Sequence, residues 1–219
     1  MSFKLLRNYV PLLPAAVLGV INPSEVMKKS KNNLLQLEEA LNHIELPRTD
    51  KVMIASSYYS ICMEHYRSIL TLLELQLYSS ASALLRCLFE SYVKGLWFYH
   101  CSDAKDIDRL RRDKFEKPFG ALVSEIEETK GKGLSTAKKY LWRTLNGLTH
   151  SGAGQVSRRI SDETIGSNFD EPFIEDVKRL TNNYGLLVAG ELALISNDRK
   201  AQSTVLEVQE ALGFVKLHL

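Results

Sequence analysis

The sequence predicts an all-α protein, a single-domain helical bundle with a long antiparallel helical hairpin at its centre. Apolar residues recur at spacings of three and four through most of the chain, the period of an amphipathic helix. No alternating strand pattern, internal repeat or low-complexity tract interrupts them. The 219 residues, 45% hydrophobic and 25% charged, suit one domain with a sizeable core.

The chain begins with Lys4 and Arg7 ahead of an apolar run from Tyr9 to Ile21, the order of a secretion signal. Pro11 and Pro14 would break a helix there, and the run is too short to span a bilayer. Residues 1–22 are therefore expected to be an apolar arm packed on the body, with one bundle domain over 23–219. Ser24 can cap a first helix to about Ile44, with Leu34, Leu37 and Leu41 among its apolar positions and Pro47 ending the region. Asp50 starts a second, whose apolar positions run from Val52 to Leu77. Tyr78-Ser79-Ser80 reads as a turn. A third long helix follows to about His100, through Leu84, Leu88, Tyr92 and Trp97, and pairs with the second as a hairpin.

The middle is more broken. Asp103 can cap a short charged helix to about Lys114, and Pro118 can begin another to about Thr129, stopped by Gly131 and Gly133. Ser135 then caps a helix that ends at Gly152 and Gly154. From Ala153 to Phe169 there is no period, and a loop of functional length is expected. Asp170 caps a long helix to about Ile195, and Gln202 to Leu217 forms a final short one.

Charge is distributed unevenly. Twelve basic and five acidic residues lie between Arg109 and Arg159, a net of +7, whereas the whole chain carries +2. Solvated helix faces account for such a segment, and so does the docking of a polyanion. Lys138, Lys139, Arg158 and Arg159 are the basic residues to place against RNA in the second case. Cys62, Cys87 and Cys101 show no C-x-x-C pair and leave an odd count, which fits a reducing, cytoplasmic setting rather than a disulfide framework. His43, His65 and His100 stand apart without a paired Glu-x-x-His, so no metal site is expected, and no phosphate-binding glycine loop implies a nucleotide cofactor.

One stretch looks chemical. In Arg143-Thr-Leu-Asn146-Gly-Leu-Thr-His150-Ser-Gly152, the seven residues from Arg143 to His150 turn through roughly 700°, about 20° short of two turns, so both project from one face with Asn146 between. A guanidinium that can hold phosphate and an imidazole that can move protons would share an edge. Each also has a structural reading: Arg143 as a surface ion pair, His150 as a cap on the free carbonyls of a helix end. Arg86 and Glu90, four apart in an apolar helix, form a charge pair or reach across to Asn146 and His150. Gly147 inside the helix costs about 1 kcal/mol relative to Ala unless close packing demands it.

Arg86-x-x-x-Glu90 followed by Asn146-x-x-x-His150 resembles a group of bacterial helical proteins within or near the HEPN superfamily. HEPN nucleases carry an Arg, four to six residues, then a His on one helix, and Arg143 and His150 have six between. The residue after that Arg is often Asn, Asp or His; here it is Thr144. The resemblance spans roughly Tyr58 to Leu194. It implies a four- or five-helix bundle that forms a homodimer and cleaves RNA without a metal or other cofactor. His150 would transfer the proton, Arg143 would anchor phosphate and Asn146 would position, with Arg86 and Glu90 in support. It also implies a toxin or bacterial defence effector, restrained by an antitoxin or regulatory protein and not held in a membrane. A non-catalytic helical module that binds RNA or a protein partner is the alternative.

Overall fold

The computed structural model describes residues 23–131, 133–161 and 164–213. The expected apolar arm over 1–22, and any part of the last helix beyond 213, lie outside them. The elements run α1 (Pro23–Leu41), α2 (Asp50–Glu74), α3 (Tyr78–His100), α4 (Ala104–Arg111), α5 (Phe119–Lys130), α6 (Leu134–Thr149), α7 (Ala153–Val156), β1 (Ile160–Ser161), β2 (Thr164–Ile165), α8 (Glu171–Ser196) and α9 (Arg199–Leu212). The chain is an all-α, single-domain bundle.

Helix α2 begins where the Thr49 side chain accepts the Val52 N–H, and it buries Val52, Ala55, Tyr59, Cys62, Tyr66, Ile69, Leu70 and Leu73 along one stripe. Helix α3 returns beside it. Tyr58 stacks on Phe98, Tyr59 lies against Gly95, and Cys62 Sγ donates to the Leu88 carbonyl, so later α2 residues meet earlier α3 residues. This is the expected antiparallel hairpin. The turn falls earlier than Tyr78-Ser79-Ser80. Gln76 takes a left-handed φ of 58°, Leu77 N–H reaches the Leu72 carbonyl and Gln76 N–H reaches that of Leu73, closing α2 at Glu74, three residues short of Tyr78 where α3 starts. Ser82 bonds its hydroxyl to the Ser79 carbonyl within the helix, which lets serines sit in its first turns.

Helix α8 crosses the hairpin. Tyr66 Oη donates to Asn182 Oδ1 at 2.9 Å and Asn182 Nδ2 donates to Ser30 Oγ at 3.0 Å, a buried line joining α2, α8 and α1. Gly185 lets the Tyr66 ring lie flat on α8: a Cβ there would stand 2.2 Å from Tyr66 Cδ1. Phe89 and Tyr92 of α3 pack on Tyr184 with ring centres 5.2 and 5.4 Å apart. Helices α5 and α6 cover another side of α3 with Leu122, Val123, Ile126, Leu141, Leu145 and Leu148 buried, each such side chain contributing about 1.5–3 kcal/mol. Helix α9 packs against α1 and α8. It starts at Arg199 rather than Gln202, because the Asp198 carboxylate caps it through the Ala201 N–H at 2.9 Å.

Asp103 and Asp106 form a reciprocal capping box that starts α4, and Asp170 caps α8 through the Phe173 N–H, both as expected. The stretch after Ala153 holds more order than a loop. After α7 comes a 3₁₀ turn at Ser157–Arg159, then β1 pairs antiparallel with β2, Ile160 opposite Ile165. Strands of two residues are too short to carry an alternating pattern. Among the described residues, no helix is long and apolar enough to cross a membrane.

Candidate functional site

Helix α6 carries the chemical stretch, and α5 starts it. Gly133 stands at its N-cap with no side-chain cap of its own. Instead Glu127 of α5 presents Oε1 to the N–H groups of Gly133 and Ser135, both at 2.7 Å. Ser135 is thus the second residue of the helix and not its cap. Desolvation pushes the Glu127 carboxyl up, but the hydrogen bonds from Ser135 and Gly133 outweigh it and hold it below the usual range. The helix ends at Thr149, whose hydroxyl donates to the Ala83 carbonyl of α3 at 3.0 Å. His150 is the C-cap, and Ser151, not a glycine, takes the left-handed φ of 52°. Gly152 N–H reaches the Gly147 carbonyl at 2.7 Å, and a Cβ on Gly152 would sit 3.0 Å from that oxygen. Close approach favours glycine at 152, whereas a Cβ on Gly147 meets nothing within 4 Å.

Arg86 of α3 is the hub. Its Nε donates to Glu90 Oε1 at 2.7 Å and its Nη1 lies 2.7 Å from His150 Nε2. Its guanidinium carbon stands 4.9 Å from the centre of the Trp142 ring, which stacks on Phe119 with centres 4.3 Å apart. A guanidinium has no lone pair to offer, so His150 Nε2 must be the acceptor, which requires a neutral imidazole with its proton on Nδ1. Both possibilities open for Arg86 are realised together: it pairs with Glu90 and reaches His150. Asn146 is half-buried, and its Oδ1 is buried with no hydrogen-bond partner among the described residues.

Arg143 is seated elsewhere on the helix. It lines a groove between α5 and α6 of about 350 Å³, with Lys138, Lys139, Trp142 and Ser135 from α6 and Gly120, Val123 and Ser124 from α5. The guanidinium at the imidazole is therefore that of Arg86, sixty-four residues from His150 in sequence. The seven-residue projection from Arg143 assumed a helix through His150, but there the backbone has turned to φ −102° and ψ 27°. Trp142 belongs to both the groove and the Arg86 cluster. Its one signal in the sequence is its place beside Arg143.

The basic residues divide. Lys138 and Lys139 line the groove, and neither they nor Arg143 has an ion-pair partner among the described residues. Arg158 and Arg159 fasten the loop instead. Arg158 donates to the Gly154 carbonyl and lies 4.4 Å from the centre of the Phe173 ring, and Arg159 Nη2 donates to Ser79 Oγ at 2.9 Å. Desolvation lowers the Arg158 pKa, opposed by Asp170. Among the described residues no three His, Cys, Asp or Glu side chains gather as metal ligands, and Cys62, Cys87 and Cys101 are free.

Fold and site together define an all-helical bundle protein with a cationic groove beside a coupled Arg–His pair. Residues 59–214 match a family of unknown function, DUF6988, and the chain belongs to that family. No curated protein and no solved structure matches it.

Proposed function

We propose that this protein is a metal-independent endoribonuclease of HEPN type, holding the sugar–phosphate chain along the α6 edge and cutting it by 2′-hydroxyl attack. The observation that carries the reading is the 2.7 Å contact between Arg86 and His150, which puts a phosphate-binding guanidinium beside a neutral imidazole. An arriving phosphodiester draws Arg86 Nη1 to itself and frees the Nε2 lone pair, while Glu90 keeps hold of Nε. The imidazole takes the 2′-hydroxyl proton, the 2′ oxygen bonds to phosphorus and the bond to the 5′ oxygen breaks. The imidazolium returns its proton to that leaving oxygen, giving a 2′,3′-cyclic phosphate and a 5′-hydroxyl. Arg86 steadies the charge on the phosphoryl oxygens. DNA lacks the attacking hydroxyl and resists.

The proposal includes a homodimer, a cytoplasmic setting suited to the free thiols, and a restraining antitoxin or regulatory protein. A non-catalytic module binding RNA or a protein partner through this surface is favoured by one observation: Arg86 already occupies the Nε2 lone pair. Labelled RNA incubated with the protein in EDTA separates the two. Cleavage that leaves a cyclic phosphate and falls about 10²-fold or more in His150→Ala and in Arg86→Ala supports the nuclease. RNA bound but left intact supports the binding module, and light scattering reads the dimer.

A further inference from the structure

The α5/α6 groove lies along α6 from the Arg86–His150 pair. Arg143 is seven residues from His150 and Lys139 eleven, which at 1.5 Å per residue places their Cα atoms roughly 10 and 16 Å away along the axis. One wall carries Lys138, Lys139 and Arg143, and the other offers Gly120, Val123 and the exposed Ser124. Gly120 leaves room for an ammonium: a Cβ there would stand 2.8 Å from Lys138 Nζ. The α6 N-terminus plays no part as an anion site, because Glu127 already fills it.

The geometry points to this groove as a subsite for phosphates of the RNA strand flanking the cut, an inference that rests on the proposed ribonuclease activity. At about 3.4 Å of rise per stacked nucleotide, the span from His150 to Arg143 places the first such phosphate about three nucleotides from the bond that breaks. The cations spread over five residue steps of helix, about 7.5 Å, so they suit successive phosphates of a strand better than one compact ion. The groove volume stands at the lower end of the range for small-ligand sites, enough for a sugar–phosphate unit but not for a duplex.

The test compares the full chain with the triple variant Lys138→Ala/Lys139→Ala/Arg143→Ala, and separately with Ser124→Glu, which adds a negative charge to the opposite rim. Binding of a single-stranded 12-nucleotide RNA is measured across a salt series, with cleavage of the same RNA and of a dinucleotide. The triple variant should raise Kd about tenfold or more at 0.15 M salt and flatten the log–log salt slope by about 2, since three contacts at about 0.7 each are lost. Ser124→Glu should weaken binding in the same direction, and the wild-type preference for the 12-mer over the dinucleotide should shrink by a similar factor. If wild type binds without cutting and the triple variant loses that binding, the nuclease reading fails, the placement beside a cut falls with it, and the groove stands only as a strand-binding surface. If wild type cuts while the triple variant keeps the same Kd and slope, the subsite is overturned and the nuclease stands. Inorganic phosphate or a mononucleotide bound as tightly as the 12-mer would overturn the strand assignment, and so would equal displacement by polyglutamate.

Discussion

Replacing Gly185 by alanine tests how the bundle is held together. The new methyl carbon would lie 2.2 Å from Tyr66 Cδ1, 2.3 Å from Cε1 and 2.9 Å from Cγ, well inside the roughly 3.5 Å at which carbon atoms rest in contact. The ring must move by more than an ångström, and it is fully buried on α2 with its hydroxyl bonded to Asn182. Overpacking of this kind costs about 1–3 kcal/mol, and parting the Tyr66–Asn182 bond adds about 1–3 kcal/mol for polar groups left unmet. Alanine returns about 1 kcal/mol as the better helix former. The balance is a loss of about 1–5 kcal/mol, which in a chain of this length lowers Tm by about 2–20 °C. Urea unfolding followed by circular dichroism reads the free energy, and a thermal scan reads Tm. A second measurement isolates the contact: in a Tyr66→Leu background the alanine should be far less harmful, because the clashing ring edge is gone. An unchanged or raised Tm for Gly185→Ala alone, or full additivity in the double variant, would refute the packing argument.

Two further predictions concern the helices that frame the site. Gly147→Ala should stabilise the protein by up to about 1 kcal/mol, since the added methyl group meets nothing and the helix gains propensity; a lower urea midpoint would contradict this. The second concerns acid. Lys117 bonds both oxygens of Glu125 at 2.7 and 2.8 Å and Trp97 Nε1 donates to Oε2 at 2.6 Å, so the carboxyl is held below the usual range, burial opposing. A depressed carboxylate contributes stability above its unfolded pKa and loses it as pH falls through the folded one. Glu125→Gln should therefore be less stable than wild type at about pH 7, with the gap closing as pH falls below the usual carboxylate range; a gap independent of pH would count against the ion pair.

The hairpin was legible because α2 and α3 each repeat apolar residues every three or four positions over more than five turns, and only a packed helix pair satisfies both stripes. Caps written by a neighbouring residue, as at Asp103 and Asp170, were legible for the same local reason, and α2 starts at Asp50 as expected although its cap is Thr49. Ser135 misled because the groups it would have capped are met by Glu127, which sequence separates by eight residues and the α5–α6 turn brings near. The site was legible in its parts, and the reach of Arg86 to His150 stood as one of two readings beside the Arg143 stripe. Arg86, Glu90, Asn146 and His150 all drew notice, yet the choice of Arg86 over Arg143 as partner of the imidazole depends on two helices meeting in space. The apolar period of a helix carries no sign of where it stops, and His150 lies just past that point.

Gln155 gives the loop after α6 a mechanical meaning. Its buried side-chain nitrogen reaches the Ser79 and Leu148 carbonyls and the Ser82 hydroxyl, and so rivets the first turns of α3 to the last turn of α6. Arg86 projects one turn further along α3, and His150 is the residue just past the end of α6. With the Thr149–Ala83 bond beside it and Arg159 tied to Ser79 from further along the chain, an amide that belongs to neither helix helps to hold the two in line.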